Sequence, residues 1–360
     1  MPRIPTRLIV KAYQNNPLLP LLLRECRSLD SARNELRWLH ERALHIARQR
    51  AISGRSGGNY PVVGWRGLFR SMCLARSKGV PLQYILGDQP FGDLDIKCVR
   101  GVLIPRHETE AITFHAAELI LDILSKNNWM DRPKAATLRI MDLCTGTGCI
   151  PLLLHALLSP HVLRLSVVGV DISPTAIRLA KENTKRNVRL GVLSERALSE
   201  VSFQRGNMLE FNHDGFPTME GLFPRIPGLA TSPEPRCDIL ISNPPYISPR
   251  EYYHGTTARS VRIFEPKLAL VPPVNLSPSM VQYRNIRRED LFYHHIAALI
   301  PRLQVKLAVL ECGSHSQAIR VAAMCKDVLG KCNSTGSILV DIWSVTGYDG
   351  HPYAVLVRSR

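Results

Sequence analysis

Apolar residues recur along the chain with two different periods, and the change comes near residue 138. Residues 31–50 (SARNELRWLHERALHIARQR) place Leu36, Leu39, Ala43, Leu44, Ile46 and Ala47 on one stripe between charged positions. That spacing predicts a helix, with Ser31 placed to cap it. Residues 53–60 (SGRSGGNY) break the pattern. Trp65–Ser77 predicts a second amphipathic helix, ended at Lys78-Gly79, so residues 30–80 read as a small helical module. Tyr84–Leu86, Asp95–Val99 and Val102–Ile104 read as extended segments with Gly and Pro between them. Thr109–Leu124 predicts a strong amphipathic helix that breaks at Asn127-Asn128.

Beyond this point short apolar runs alternate with helical stretches. Strands are predicted at Leu138–Leu143, Leu165–Val170, Val201–Arg205, Cys237–Ser242, Lys306–Leu310, Ser337–Ile342 and Tyr353–Val357. Helices follow the first two, over Ile150–Leu158 and Ser173–Arg186, the latter with Pro174 in its first turn. Buried strands alternating with helices imply an α/β fold, a doubly wound and mainly parallel seven-stranded sheet. Asn212–Arg236 and Val271–Arg287, Pro-containing and without period, read as inserted surface loops with no catalytic role.

Composition sharpens this picture at one end of the chain. The 360 residues carry a net charge of +16 and are 45% hydrophobic, as expected of a globular protein rather than a fibrous or disordered one. No apolar run is long enough for a membrane helix. The charge excess is uneven: residues 1–80 hold 15 basic and 4 acidic side chains. The first acid is Glu25, and Arg3, Arg7, Lys11 and Arg24 precede it. An Arg-bearing, acid-free start has the composition of a mitochondrial presequence, so residues 1–29 are expected to be a targeting segment and the protein to reside in the mitochondrial matrix. Removal of residues 1–24 is then expected to abolish import and leave activity intact. If the start is merely a basic tail, the expected compartment is the cytoplasm. Nine cysteines occur without a C-x-x-C; they are expected to be free thiols, with no metal site.

Three constellations carry chemistry. Asp142-Leu-Cys-Thr-Gly146-Thr-Gly148 follows a strand and opens a helix, where glycines let backbone approach a ligand closely. It lacks the Gly-Lys-Ser/Thr of a phosphate-binding loop, and an ordinary tight turn reads as well. Asp171, 23 residues past Gly148, ends the second strand; a carboxylate there suits a pair of ribose hydroxyls, or caps the following helix. Asn243-Pro244-Pro245-Tyr246 follows the strand CDILIS. Its prolines remove two N–H donors and leave the Pro244 carbonyl as an acceptor beside the Asn243 amide oxygen. Two such acceptors can hold the hydrogens of a planar –NH2 group, with Tyr246 as a packing face; a Pro-rich turn is the bland alternative.

With these motifs the sequence resembles class I S-adenosylmethionine-dependent methyltransferases that act on exocyclic or amide nitrogens. Within them it resembles the HemK/PrmC family, glutamine methyltransferases of peptide-chain release factors. Pro81-Leu-Gln-Tyr-Ile-Leu-Gly87 with Phe91, Leu103-Ile-Pro-Arg-His-Glu-Thr-Glu110, Phe264-Glu-Pro-Lys-Leu-Ala-Leu270 and Glu311-Cys-Gly-Ser-His-Ser-Gln317 match that family's further motifs. The resemblance runs from about Pro81 to the C-terminus. It implies a helical substrate-gripping domain over 30–80, an extended linker or hairpin over 81–108, and a methyltransferase domain over 109–360. It assigns Asp142, Cys144, Thr145, Gly146, Thr147, Gly148, Asp171, Asn207, Met208 and Asn243 to S-adenosyl-L-methionine, with Asn207 and Met208 near the adenine. Asn243, Pro244, Pro245 and Tyr246 are assigned to the substrate, with Asn243 and Pro244 as catalytic residues. The implied partner is a release factor.

There are departures. Cys144 stands where the family usually has Gly, His107 where it has Pro, and Asn207 where an acid is common. Asn207 is expected to reach an adenine amino group through its oxygen. An Asn243→Asp change is expected to be milder than Asn243→Ala if acceptor geometry is what matters. The competing enzyme reading is a nucleic-acid amino-methyltransferase for adenine or guanine, since Asn-Pro-Pro-Tyr serves there too and positive charge binds phosphates. A non-catalytic assembly factor with a methyltransferase fold is the reading from another class. No target-recognition domain is visible, so nucleic acid is the less favoured partner.

Overall fold

In the computed structural model, residues 3–53, 64–126, 137–209, 222, 236–273, 286–331, 338–344 and 353–359 are described. The chain divides into two compact units, Met1–Asp88 with Ala258–Phe264, and Gln89–Thr257 with Glu265–Arg360.

The first unit is helical: α1 (Thr6–Asn15), α2 (Leu19–Cys26), α3 (Leu29–Ser53), α4 (Trp65–Ser77) and α5 (Leu82–Leu86). Pro20 sits in the first turn of α2, where its missing N–H costs no helical bond. Ala12, Leu19, Leu22 and Leu23 are buried with Leu39 and Cys73 in one core. The helices on the two sides of residues 29/30 share this core: α1 and α2 supply four of its eight buried side chains. The extended reading of Tyr84–Leu86 is corrected. These residues lie in α5, because Leu82, Ile85 and Leu86 return at helical spacing to pack on that core. Gly87, at φ +90°, ends the helix in the left-handed conformation. Arg76 on α4 donates from Nε and Nη2 to Glu35 of α3, at 2.7 and 2.9 Å, a two-pronged pair largely shielded from solvent.

The second unit holds a hairpin of β1 (Asp88–Phe91) and β2 (Leu94–Lys97), and a sheet of seven strands. The sheet comprises β3 (Leu138–Leu143), β4 (Leu165–Asp171), β5 (Val201–Arg205), β6 (Ile239–Ser242), β7 (Leu307–Cys312), β8 (Ile338–Ser344) and β9 (Tyr353–Ser359). Their order is β5-β4-β3-β6-β7-β9-β8. All neighbours are parallel except β9, which runs antiparallel to both β7 and β8. This is the doubly wound, mainly parallel seven-stranded sheet expected from the sequence. Val102–Ile104 is not a strand, and the expected breaks at 54–60 and Asn127-Asn128 and most of both insertions lie outside the described residues. No helix among the described residues is long and apolar enough to cross a membrane.

Side chains alternate between the two faces with period two. Ile140, Ile241, Leu307 and Val309 pack on one side with α6 (His107–Lys126) and α7 (Cys149–Leu158). Met141, Leu143, Ala308 and Leu310 pack on the other with the helices Leu291–Arg302 and His315–Lys331. Strand order reverses at β3, and ligands of such sheets bind outside the carboxyl ends of the strands there. The β3–β6 register pairs Leu143 with Ser242, and the Ser242 hydroxyl donates to the Leu143 carbonyl at 2.8 Å. The chain therefore leaves both strands side by side, at Cys144 and at Asn243.

Candidate active site

The turn after β3 is built from backbone hydrogen bonds. The Thr145 N–H donates to the Val170 carbonyl on β4 at 3.0 Å, and the Gly148 N–H to the Thr145 carbonyl at 2.9 Å. Gly146 and Gly148 have φ of +54° and +80°, a region open to glycine and strained for other residues. Cys144 is also left-handed, at φ +65°, so its departure from glycine strains the backbone as well as adding bulk. A Cβ on Gly146 would meet nothing within 4 Å, whereas on Gly148 it would lie 2.9 Å from the Ala180 Cβ and 3.0 Å from the Phe203 ring. Gly146 leaves open space above the turn, and Gly148 allows α7 to approach α8 (Pro174–Arg189) and β5. Asn183 on α8 clamps the turn, donating to the Thr147 carbonyl at 2.9 Å while accepting the Lys97 N–H of β2 at 2.8 Å.

Asp171 ends β4 as expected, and the cap of α8 is Ser173, whose hydroxyl accepts the Ala176 N–H. Oδ1 accepts the Ser173 N–H at 2.8 Å, at the start of α8, and Oδ2 accepts the Gly146 N–H at 2.9 Å. Each oxygen keeps a further lone pair. Burial raises the Asp171 carboxyl above its ordinary value, and its backbone donors oppose the rise.

A cavity of about 740 Å³ opens over this turn. Cys144, Thr145, Gly146, Thr147, Asp171, Asn207, Met208, Asn243 and Pro245 line it. Four other expected site residues are not in its wall: Asp142, Gly148, Pro244 and Tyr246. Asp142 lies beneath the turn, fully buried. Only the neighbouring Thr145 hydroxyl is on hand to its two carboxylate oxygens, and it opposes the effect of burial. Burial holds the Asp142 carboxyl well above the usual range, with Asp171 and Glu311 adding to the rise. The Asn207 oxygen accepts the Leu209 N–H at 3.0 Å. The side chain makes an Asx turn on its own backbone, so that oxygen is already engaged, and the amide N–H groups are what Asn207 has in full to offer an adenine.

At the far strand end, Asn243 Nδ2 donates to Thr109 Oγ1 at 3.0 Å. Thr109 in turn donates to Glu311 Oε1 at 3.1 Å. The Tyr246 hydroxyl reaches the same carboxylate at 3.4 Å. The Tyr246 ring packs over Gly313, where a Cβ would come within 2.7 Å of it. Tyr246 is thus a partly buried support of the Asn243 segment, not a wall of the cavity. The Pro244 carbonyl accepts no hydrogen bond among the described residues, and this keeps its acceptor capacity.

Sequence reasoning did not single out Thr109, Glu311, Arg106 or Glu265 as parts of the site. Arg106 Nη2 donates to the buried Glu265 at 2.6 Å, and Glu265 also accepts the Ile104 N–H at 3.2 Å. Both pairs join family motifs, Leu103–Glu110 with Phe264–Leu270 and with Glu311–Gln317, which was the signal available. The donor set suits a cationic ligand with N–H and hydroxyl groups. The Asp171 carboxylate and the Thr145 hydroxyl are placed on the cavity wall to accept, over the buried Asp142 carboxyl.

No family model matches the chain. The mitochondrial MRF1 N5-glutamine methyltransferase MTQ1 of Saccharomyces cerevisiae is 36% identical over 301 residues, which is 81% of this chain and 76% of that protein. A probable MRF1 mitochondrial N5-glutamine methyltransferase of Schizosaccharomyces pombe is 30% identical, covering 92% of both chains. The release factor glutamine methyltransferase of Chlorobaculum tepidum is 31% identical over 76% of this chain and 74% of that one.

Proposed function

The chain belongs to the release factor glutamine methyltransferases, and we propose that its substrate is the glutamine of the Gly-Gly-Gln loop in a mitochondrial peptide-chain release factor. It is an S-adenosylmethionine-dependent enzyme that methylates the N5 side-chain nitrogen of a release-factor glutamine. When bound, the cofactor supplies an electrophilic methyl group on a sulfonium centre.

The observation that carries the site assignment is the bond from Asn243 Nδ2 to Thr109. With the –NH2 end so engaged, the Asn243 amide oxygen would be left as an acceptor for the substrate. An amide nitrogen is a weak nucleophile because its lone pair is delocalised into the carbonyl. Asn243 Oδ1 and the Pro244 carbonyl would accept its two N–H bonds, hold the –NH2 group in one orientation and stabilise the positive charge that develops on nitrogen. After transfer one of those protons would pass to solvent water. Asp171 would accept the ribose hydroxyls, Gly146 would leave room for the cofactor, and Thr145 on the cavity wall would accept from it, over the buried Asp142. Asn207 and Met208 would border the adenine.

Mitochondrial residence is inferred from the two fungal relatives and the acid-free start. Because α1 and α2 fold into the helical unit, import would have to precede their folding. The helical unit is the candidate for gripping the release factor. The test is incubation with methyl-labelled cofactor and separate pools of release factor and RNA. A mass gain of about 14 daltons on the Gly-Gly-Gln glutamine, the net addition of one methylene when a methyl group replaces a proton, supports this reading. Label in RNA alone favours a nucleic-acid methyltransferase, and label in neither a non-catalytic protein.

A further inference from the structure

Asn243 stands at the end of a hydrogen-bond series that begins on a buried carboxylate. Glu311 lies inside β7 with 3% of its surface exposed, and its Oε2 has no partner. A carboxylate in that position is costly unless it is paired and hydrogen-bonded. We propose that Glu311, acting through Thr109, is a positioning residue that fixes which end of the Asn243 side-chain amide faces the substrate. This deepens the reading of a glutamine amide as the methyl acceptor, and it rests on that reading.

The direction of the series follows from proton counting. A carboxylate only accepts, and a threonine hydroxyl has one proton. At 3.1 Å from Glu311 Oε1 that proton is committed to the carboxylate. Thr109 then has only lone pairs for Asn243, and only the –NH2 end of the amide can meet them, as it does at 3.0 Å. The carbonyl end is left for the cavity, which both Asn243 and Thr109 line. With the amide reversed, the Asn243 –NH2 would confront the substrate –NH2, donor against donor. A protonated Glu311 can itself donate to Thr109, which frees the threonine proton to turn toward Asn243. Protonation therefore removes the bias that keeps the amide oriented.

Burial pushes the Glu311 carboxyl up to about 7, against the bond from Thr109. The groups around it are Glu108 and Arg106 at the start of α6, Tyr246 after β6, Asp142 on β3, Cys149 on α7, Tyr293 on the helix Leu291–Arg302 and Cys312 on β7 itself. Glu108 raises it, and Arg106 and Tyr246 lower it. The Tyr293 hydroxyl donates to the Glu311 carbonyl at 2.6 Å and holds the backbone there. The effective form is the anion, so positioning is complete above the folded value and is lost as pH falls through about 7.

The test uses the full chain with three variants. Thr109→Val keeps the shape and removes the hydroxyl, Thr109→Ser restores it, and Glu311→Gln removes the charge. Single-turnover transfer to the release-factor glutamine should fall about 10–100-fold in Thr109→Val, with KM and cofactor affinity nearly unchanged. Thr109→Ser should recover most of that loss, and Glu311→Gln should flatten the fall of kcat on the acid side. The second measurement needs no substrate. In 15N-labelled protein the Asn243 side-chain –NH2 resonance should titrate near pH 7 in the wild type and lose that titration in Glu311→Gln. Failure of the wild type to methylate the glutamine overturns the substrate reading, while the resonance still decides the positioning. A Thr109→Val enzyme at full kcat, or an Asn243 resonance indifferent to both Glu311→Gln and pH, overturns the positioning.

Discussion

Asp171 Oδ2 accepts the Gly146 N–H at 2.9 Å, so the acid that ends β4 and the glycine turn that follows β3 are one rigid unit. The same carboxylate starts α8 through Ser173. Its place beside the cavity is set from two directions before any ligand arrives.

Asp171→Ala should therefore do two things at once. It removes a charged acceptor from the ribose hydroxyls and from two backbone N–H groups. Each lost charged bond is worth about 1.5–3 kcal/mol, so cofactor affinity should fall at least about tenfold, with some loss of thermal stability. Calorimetry that returns wild-type affinity would remove Asp171 from the cofactor site.

The two glycines of the turn should separate stability from binding. Gly148→Ala forces a left-handed alanine whose Cβ meets the Ala180 Cβ at 2.9 Å and the Phe203 ring at 3.0 Å. Left-handed strain of about 1–2 kcal/mol adds to overpacking of about 1–3 kcal/mol, so denaturant unfolding should show a large loss. Gly146→Ala carries only the strain, because its Cβ meets nothing. That methyl points into the space proposed for the cofactor, and affinity should drop while the stability loss stays confined to that strain and so is smaller than in Gly148→Ala. Equal stability losses in the two variants would contradict this division.

Removal of residues 1–24 should unfold the helical unit. The deletion takes Leu19, Leu22 and Leu23, each 2% exposed or less, from beside Leu39 and Cys73. Losing one such leucine costs about 2–5 kcal/mol, and three exceed what a small helical core can spare. Limited proteolysis should find the remainder of residues 25–88 degraded. A truncated chain that resists protease and keeps full activity would restore residues 1–24 to the status of a removable leader.

The N-terminal helices show where sequence reading stops. Arg3, Arg7, Lys11 and Arg24 among apolar residues have the composition of a targeting segment, and an amphipathic helix in a small basic domain has the same composition. Only the partners of Leu22 and Leu23 distinguish the two, and those partners come from α3 and α4. The sheet was legible because its buried strands are continuous apolar runs bounded by Gly, Asp and Pro. Asn243 was legible because two prolines directly after an apolar strand strip the backbone of donors and leave acceptors at the strand end. Thr109 and Glu311 were not: they lie 202 residues apart, and only the packing of α6 against the end of β7 brings them together. The orientation of Asn207 was hidden for a simpler reason, since an Asx turn competes locally with any ligand for the same oxygen.

The position of Thr109 reverses one expectation about Asn243. By acceptor geometry alone, Asn243→Asp should be milder than Asn243→Ala. In the structure, however, Asn243 acts as a donor to Thr109 at 3.0 Å, and the single Thr109 proton is already given to Glu311. An ionised aspartate there sets an oxygen against the Thr109 lone pairs and brings a second carboxylate close to Glu311. Unpaired buried acceptors cost about 1–3 kcal/mol, and the new side chain must rotate away or disturb the turn. Asn243→Ala loses the substrate acceptor without that repulsion and should lower single-turnover transfer to the glutamine by about 10²-fold or more. At a pH about one unit above the Glu311 value, where that carboxyl is ionised, Asn243→Asp should fall at least as far, with cofactor affinity changed little in the alanine variant. If Asn243→Asp transfers methyl groups well while Asn243→Ala does not, the bond to Thr109 is dispensable and only the acceptor matters.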